Sequence, residues 1–239
     1  MQLLELTLDT PAENVAVDEA LLLSAEAGDA PDEVLRIWEP RQYFVVLGSS
    51  SRIAIELNRE YCHGKGIEVV RRTSGGAAIV AGPGCLMYSL VLSLSERPEL
   101  RSIDRAHRFV LDALAAMFGR LVSDIARRGT SDLAIGDRKF SGNSLRLKRN
   151  HLLYHGTLLY DFRLDLVAAC LAHPPREPDY REGRGHGNFL ANLPLKVDSL
   201  RATLASTFGA ASPLPDWPRD LVARLATEKF ATAEWTNRL

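Results

Sequence analysis

The stretch RRTSGGAAIV, Arg71–Val80, decides how the rest of the sequence is interpreted. Two arginines follow the mostly apolar run Ile67–Val70, and a Thr-Ser-Gly-Gly turn then leads into a second apolar run. Because Gly75 and Gly76 adopt positive φ at no steric cost, one interpretation is a β-hairpin with solvated arginines. The other is an anion cradle, in which backbone N–H groups and an arginine fork bind phosphate oxygens. The stretch alone leaves both open.

The composition is that of a globular chain. Its 239 residues are 46% hydrophobic and 25% charged, which is enough apolar content for a sizeable core. The net charge of −1 does not indicate a general nucleic-acid-binding surface. No segment approaches the roughly 18 apolar residues of a membrane span, and the N-terminus lacks the pattern of a signal peptide. Because Cys62, Cys85 and Cys170 form no metal-ligand spacing, the expected location is a reduced cytoplasm.

Strand and helix patterns alternate along the chain. Strands are predicted at Leu3–Leu8, Val34–Trp38, Phe44–Leu47, Ile67–Arg72, Ala77–Val80, Met87–Leu94, Leu133–Ile135, Lys139–Ser141 and Leu152–Tyr160. Helices are predicted at Asn14–Leu23, Asn58–Lys65, Ser102–Phe118, Leu164–Ala172, Leu195–Phe208 and Trp217–Thr227. We therefore expect one α+β domain over residues 1–239, with mixed, mostly antiparallel sheets flanked by helices.

Two later segments combine polar side chains with glycines. In GDRKFSGNS, Gly136–Ser144, Lys139 is either an exposed hairpin lysine or a pocket lysine that holds a phosphate or an acyl carbonyl. In LLYHGTLLYD, Leu152–Asp161, the tripeptide His155–Thr157 interrupts an apolar strand. A buried polar group needs a partner, and a strand glycine often marks a close ligand, so either a core histidine or a ligand contact fits.

A fourth segment, EPDYREGRGHGNFLANL, covers Glu177–Leu193 and carries Arg181, Arg184 and His186 between glycines. It overlaps the Pro-, Gly- and charge-rich stretch Pro174–Gly187. This stretch is interpreted as a loop, either without fixed structure or acting as a lid over a ligand.

In this order, the segments resemble the lipoate–protein ligase A family of the biotin/lipoate ligase superfamily. NVAVDEALL, Asn14–Leu22, is similar to the family's Asn-x-Ala-x-Asp-Glu helix, and Val69–Val80 is similar to its Arg-Arg-x-Ser-Gly-Gly-Gly-Ala-Val loop. Ser131–Ser144 resembles the family's Asn-Asp and Gly-x-Lys-x-Ser-Gly-Asn segment. His155–Leu159 resembles its His-His-Gly-Thr-Leu-Leu strand. The resemblance implies the biotin/lipoate ligase catalytic-domain fold.

The resemblance also implies a two-step reaction. Lipoate is activated with ATP to lipoyl-AMP, assisted by Mg²⁺. The lipoyl group then passes to a lysine of a lipoyl-carrier domain, either glycine cleavage H-like or dehydrogenase E2-like. Neither a nucleic acid nor a membrane is an expected partner.

By the same resemblance, Lys139 is the catalytic residue, because its ammonium would contact both the phosphate and the acyl carbonyl. Arg72, supported by Arg71, would face the phosphate. The implied cofactor-binding residues are Arg71, Arg72, Ser74, Gly75, Gly76, Ala77, Ala78, Ile79, Val80, Asp132, His155, Gly156 and Thr157; metal ligands are left unassigned. An apolar tunnel for the acyl tail is expected around Val45–Leu47, Tyr88 and Leu152–Leu153.

The sequence departs from the family pattern at several positions. Ala77 replaces the third glycine of the loop, Cys85 replaces the asparagine of Gly-Asn-Leu, and Ser131 replaces the first residue of Asn-Asp. Many family members carry a C-terminal domain that serves adenylation, and none is expected within this sequence. The resemblance leaves open whether a separate accessory polypeptide assists or the chain activates lipoate by itself.

Three other functions stay open. Octanoyltransferases of the superfamily use a cysteine nucleophile, and Cys170 is the only cysteine after Lys139. Its place on the apolar side of a predicted helix favours a buried, inert thiol, whereas the role of Cys85 is not fixed. Biotin ligation is disfavoured, because the loop does not match the Gly-Arg-Gly-Arg-x-Gly-Arg pattern. A catalytically silent carrier-binding or lipoate-binding subunit is the third.

Overall fold

Two β-sheets share the eleven strands of the computed structural model, which describes residues 1–239. The strands are β1 (Gln2–Glu5), β2 (Val34–Trp38), β3 (Phe44–Leu47), β4 (Glu68–Arg71), β5 (Ile79–Ala81), β6 (Cys85–Ser93), β7 (Ile125–Arg128), β8 (Asp132–Ile135), β9 (Arg138–Leu147), β10 (His151–Leu159) and β11 (Ser212–Pro213). The helices are α1 (Pro11–Ala27), α2 (Ile53–Glu56), α3 (Arg59–Gly64), α4 (Ile103–Phe118), α5 (Asp165–Cys170), α6 (His186–Phe189), α7 (Val197–Thr207), α8 (Arg219–Leu225) and α9 (Ala233–Thr236). Short 3₁₀ turns lie at Pro98–Arg101 and Asp179–Arg181, and a π-helical turn at Ala226–Phe230.

The larger sheet has the strand order β11-β1-β2-β6-β10-β9-β8-β7. Its pairs are antiparallel, except that β1 runs parallel to both β2 and β11. The central strands β6 and β10 are buried on both faces. One face packs against α4 and α7, and the other packs against α1. No helix has both the length and the apolar character needed to cross a membrane.

The smaller sheet has the order β4-β3-β5 and carries the glycine-rich stretch. β3 pairs in parallel with β4 and antiparallel with β5. Because β3 lies between β4 and β5, the connecting residues 72–78 cross over the end of β3 and do not form a hairpin turn. The hairpin interpretation is therefore wrong, and the residues between β4 and β5 form an open loop.

Most predicted elements agree with the structure, and the α+β fold with mostly antiparallel pairing is confirmed. The first helix is longer than predicted because a capping box of Thr10 and Glu13 starts it early, and Gly28, at φ +81°, ends it. The Gly136 turn joins β8 to β9 as the predicted hairpin. The edge strands β7 and β11 were not predicted, because short edge strands have little apolar patterning.

Candidate active site

A cavity of about 940 Å³ lies between the two sheets. The predicted residues that line it are Arg72, Gly76–Val80, Asp132, Lys139 and His155–Thr157. Three other predicted residues, Arg71, Ser74 and Gly75, do not line it. The structure thus brings the glycine-rich loop, the lysine hairpin and the His-Gly-Thr strand to one place.

Only one residue of the glycine-rich loop requires glycine by its backbone conformation. Gly76 has φ +87°, whereas Gly75 and Ala77 do not have positive φ. The alanine at the family's third glycine position is therefore accommodated without strain. Gly48 is needed for a different reason, because a Cβ there would lie 1.8 Å from the carbonyl oxygen of Gly76.

The guanidinium of Arg72 folds back beneath its own loop. Its Nη2 donates to the carbonyl oxygens of Gly75, at 2.6 Å, and Ala77, at 3.0 Å. Its Nη1 donates to the carbonyl of Val46 at 3.2 Å. Burial lowers the pKa of Arg72 to about 10, with Glu56 opposing the shift, so the side chain stays cationic at neutral pH.

Because these carbonyls are turned toward Arg72, the amides of the loop are left available. The N–H groups of Gly75, Gly76 and Ala77 donate no hydrogen bond within the protein. The next N–H, at Ala78, donates to the carboxylate of Glu56 at 2.8 Å. Consecutive free N–H groups beside a buried cation form an anion-binding concavity, which supports the cradle interpretation.

The expectation that Arg71 supports the phosphate is not what the structure shows. Its side chain is fully buried, and its guanidinium donates to the carbonyls of Gly48 and Ser51 at 2.8 Å each and of Thr236 at 2.8 and 3.0 Å. The indole N–H of Trp235 donates in turn to the Arg71 carbonyl at 2.7 Å. Arg71 therefore joins the C-terminal helix to the floor of the loop.

Lys139 points into the cavity and is not an exposed hairpin lysine. Its Nζ lies 2.7 Å from Oδ1 of Asp132, and the side chain is 26% exposed. The other oxygen of Asp132 accepts a hydrogen bond from the hydroxyl of Tyr180 at 2.9 Å. A Cβ at Gly142 would lie 2.9 Å from Nζ, so glycine there leaves room for the lysine.

Ser131, at the position of the asparagine in the family pattern, lines the cavity and makes a main-chain contact. Its carbonyl accepts from the backbone N–H of Asn143 at 3.0 Å and from its Nδ2 at 2.9 Å. This contact uses no Ser131 side-chain atom, so the change from asparagine to serine leaves it intact. The amide oxygen of Asn143 accepts from the hydroxyl of Tyr88 at 2.6 Å.

Each residue of the His-Gly-Thr tripeptide has a different part in the site. Both ring nitrogens of His155 are partnered, Nε2 by the hydroxyl of Ser74 at 2.6 Å and Nδ1 by Asp18 at 3.0 Å. At Gly156 a Cβ would lie 1.8 Å from the amide oxygen of Asn143, so only glycine fits. The hydroxyl of Thr157 accepts from the N–H of Gly142 at 3.2 Å and bridges β10 to β9.

Asp18 and Arg36 belong to the site region but were not predicted. Asp18 lines the cavity, and its Oδ1 forms an ion pair with Nη1 of the fully buried Arg36 at 2.8 Å. Burial raises the pKa of Asp18, but the hydrogen bond from His155 and the charge of Arg36 outweigh it, so the net pKa is lowered. A charge in the middle of the apolar strand VLRIW was the signal that could have identified Arg36.

One arm of the cavity is apolar and is lined by Val15, Trp38, Val46, Met87 and Leu153. Other residues expected in the tunnel, Val45, Leu47, Tyr88 and Leu152, do not line the cavity and belong to other packed clusters. The prediction was wrong for these residues because neighbouring strand residues face opposite sides.

No cysteine lines the cavity. Cys62, Cys85 and Cys170 are all buried free thiols. Burial and the neighbouring Cys62 raise the pKa of Cys170 to about 12, and burial also raises that of Cys85. A reactive cysteine needs a stabilised, accessible thiolate, and these positions provide neither.

The Pro174–Gly187 segment covers one side of the cavity. Pro174–Pro178 and Arg181 line it, and Tyr180 is held by Asp132. Arg184 forms an ion pair with Asp137 at 2.7 Å, which ties the segment to the β8–β9 turn. The segment is thus folded over the lysine side, and its movement as a lid stays a prediction.

A family model described as the lipoyl protein ligase A/B catalytic domain matches residues 10–208. Lipoate–protein ligase 1 of Staphylococcus aureus is 24% identical over 236 residues, which are 94% of this chain and 69% of that protein. Octanoyltransferase LipM of Brevibacillus brevis is 24% identical over 266 residues, covering 96% of this chain and 95% of that protein.

Solved structures share the fold. One is a bi-partite lipoate protein ligase from Thermoplasma acidophilum, described with its E2 lipoyl domain, at a TM-score of 0.81, 21% identity, and coverage of 100% of this chain and 96% of that one. Another is a lipoate-protein ligase A bound with ATP, at a TM-score of 0.81, 24% identity and coverage of 100% and 99%. At these identities the likeness establishes the fold alone, which is the fold of these lipoate protein ligases.

Proposed function

The chain belongs to the lipoyl protein ligase A/B catalytic-domain family, and from this premise we propose that it activates lipoate with ATP and transfers the lipoyl group to a lysine of a carrier domain. The observation that carries the proposal is that the glycine-rich loop and Lys139 line one cavity that also has an apolar arm. The glycine-rich loop would then contact the phosphate, Lys139 the acyl carbonyl, and the apolar arm the acyl tail.

In the first step, the lipoate carboxylate attacks the α-phosphorus of ATP, lipoyl-AMP forms and pyrophosphate leaves. The free N–H groups of Gly76 and Ala77, which line the cavity, would hold phosphate oxygens. Arg72 supplies a fixed positive charge beneath them and keeps the competing carbonyls turned away.

In the second step, the amine of the carrier lysine attacks the lipoyl carbonyl, an amide forms and AMP leaves. Negative charge develops on the carbonyl oxygen, and the ammonium of Lys139 would stabilise it. Asp132 orients that ammonium through the ion pair at 2.7 Å. Asp132 therefore acts through Lys139, although it was predicted to bind the ligand itself.

Mg²⁺ stays a prediction. No group of three His, Cys, Asp or Glu side chains is placed to hold a metal ion. Mg²⁺ often binds through substrate phosphates, waters and one or two carboxylates. We therefore propose that it enters with ATP.

Two partners are proposed. The first is a lipoyl-carrier domain, supported by the shared fold with the Thermoplasma ligase, whose structure is described with its E2 lipoyl domain. The second is an accessory polypeptide that assists adenylation, supported by the bi-partite nature of that ligase. A chain that needs the accessory polypeptide would transfer lipoyl from supplied lipoyl-AMP but would not use lipoate and ATP alone.

Octanoyl transfer is the second candidate function, because octanoyltransferase LipM matches over 95% of its length. The thiols argue against a cysteine-based route here, since all are buried and none lines the cavity. The site favours an adenylate as the acyl donor.

The test uses the wild type and a Cys85→Ala/Cys170→Ala double variant, each with an acceptor carrier domain. One reaction contains lipoate, ATP and Mg²⁺, a second contains lipoyl-AMP, and a third contains octanoyl-carrier protein. We expect both proteins to lipoylate the carrier equally from lipoyl-AMP. Activity only from octanoyl-carrier protein, abolished in the double variant, would replace the ligase proposal with the transferase.

A further inference from the structure

A chain of hydrogen bonds connects helix α1 to the glycine-rich loop through His155. Arg36 pairs with Oδ1 of Asp18, and Oδ2 of Asp18 lies 3.0 Å from Nδ1 of His155. Nε2 of His155 lies 2.6 Å from the hydroxyl of Ser74, which accepts from Nε of Arg72 at 3.0 Å. This series of hydrogen bonds therefore ends at the guanidinium of Arg72, which holds the loop.

The direction of these bonds follows from the ionised carboxylate at one end. Asp18 only accepts hydrogen bonds, so Nδ1 of a neutral His155 carries the proton. Nε2 then accepts the Ser74 hydroxyl proton. That leaves the Ser74 oxygen free to accept from Arg72, and every member has a complementary partner.

The same arrangement argues against Ser74 as a nucleophile, although Ser, His and Asp are in line. Ser74 is only 1% exposed and does not line the cavity. Its hydroxyl oxygen is also occupied by Arg72. An acyl group in the cavity would not reach it, so a positioning role is the one that fits.

We propose that Asp18, His155 and Ser74 form a positioning relay, which holds Arg72 so that the loop presents its amides to the nucleotide phosphate. Without the relay, Nε of Arg72 loses its acceptor, and the guanidinium is held only by the carbonyls of Val46, Gly75 and Ala77. The less firmly held guanidinium would release the Ala77 carbonyl, which could turn toward the cavity and repel an anion, whereas the Gly75 carbonyl keeps the Ser144 hydroxyl at 2.9 Å. The proposal rests on the proposed function for the identity of that anion.

The test compares relay variants with matched controls. Ser74→Ala and Asp18→Asn break the relay. The first removes the hydroxyl between His155 and Arg72, and the second removes the charge that fixes the histidine tautomer. His155→Gln is the conservative variant, since its amide N–H can donate to Asp18 and its amide oxygen can accept from Ser74. The controls are Ser93→Ala, another buried serine, and Glu19→Gln, a neighbouring carboxylate that pairs with Lys229.

The expected result is a split between nucleotide affinity and turnover. In Ser74→Ala and Asp18→Asn, the KM and Kd for ATP rise about tenfold, as loss of one charge-assisted hydrogen bond would give. The turnover number at saturating ATP and the KM for the carrier should change less than about twofold. Both controls should stay near wild type in ATP affinity, and the loss in His155→Gln should be smaller than in the two breaking variants.

Amide hydrogen exchange of Arg72 and Ala78, whose N–H groups donate to Leu47 and Glu56 in the free protein, supplies a readout that does not need activity. Exchange should be faster in the two breaking variants than in the controls. Wild-type exchange and ATP affinity in both Ser74→Ala and Asp18→Asn would overturn the relay, as would an equal loss in Ser93→Ala. A wild type that lipoylates nothing would contradict the proposed function, while exchange would still decide the relay.

Discussion

The two sides of the cavity present their functional groups in different ways. The loop side, residues 72–78, offers main-chain N–H groups held by several side chains beneath them. The lysine side offers one side chain, Lys139, held by one ion pair to Asp132. The difference suggests that the loop side is a preformed binding surface, whereas the lysine side carries the group that acts on the reacting carbonyl.

The largest effect should come from removing the reacting group on the lysine side. Lys139→Ala should lower acyl transfer from lipoyl-AMP by about a hundredfold or more, because a preorganised charge in the site is lost. ATP affinity should change much less. Single-turnover transfer to the carrier domain measures the effect, with Lys148→Ala, just after the end of the same strand, as the control. A rate near wild type for Lys139→Ala would remove the lysine from the mechanism.

The next largest effect should be on stability, beneath the loop. Arg71→Met should lower the free energy of unfolding by about 3 kcal/mol, because the carbonyls of Gly48, Ser51 and Thr236 lose their donors in a buried place. Urea unfolding measures it, and exposed Arg59→Met is the control. Unchanged stability together with lost ATP binding would instead indicate that Arg71 binds the ligand directly.

A smaller effect should distinguish the two glycines of the loop. Gly76→Ala forces alanine to φ +87° with its Cβ 3.0 Å from Arg72, and we expect a cost of about 1–2 kcal/mol in stability with weaker ATP binding. Gly75→Ala meets nothing within 4 Å, so it should be close to neutral. Thermal unfolding and ATP titration of the pair check this. Equal effects at both positions would contradict the loop conformation.

The smallest effect should come from the segment over the lysine side. Tyr180→Phe removes the hydrogen bond to Asp132, and transfer should slow by about three- to tenfold, equivalent to about 1 kcal/mol. Tyr160→Phe, which removes a hydrogen bond to Glu39 outside the cavity lining, is the control. Limited proteolysis within Pro174–Gly187, with and without lipoyl-AMP, tests the lid at the same time. Equal cleavage in both states would argue against lid closure.

The sequence predicted those parts of the site that depend on residues close together in the chain. Lys139 beside Gly142 and the Gly75–Gly76 pair each form a local pattern, and Lys139, Gly142 and Gly76 line the cavity. The sequence could not show that β3 inserts between β4 and β5, because strand order depends on long-range pairing. The sequence alone therefore could not exclude the hairpin interpretation of Arg71–Val80.

The roles of the two arginines also depended on the fold. Arg71 and Arg72 are adjacent, but successive strand-end side chains point to opposite sides, so only Arg72 lines the cavity. Arg71 binds a carbonyl of Thr236, 165 positions away in the chain. Asp18 and His155 are 137 positions apart, and no local pattern relates them.

The central claim is that the loop amides receive the phosphate of the adenylate while Lys139 faces the acyl carbonyl. Nuclear magnetic resonance of isotope-labelled protein, titrated with lipoyl-AMP, tests it most directly. We predict that the amides of Gly76 and Ala77 shift downfield together and become protected from exchange, with Lys139 Nζ responding at the same ligand concentration. Saturating ligand that leaves these amides unchanged while other residues shift would contradict the account.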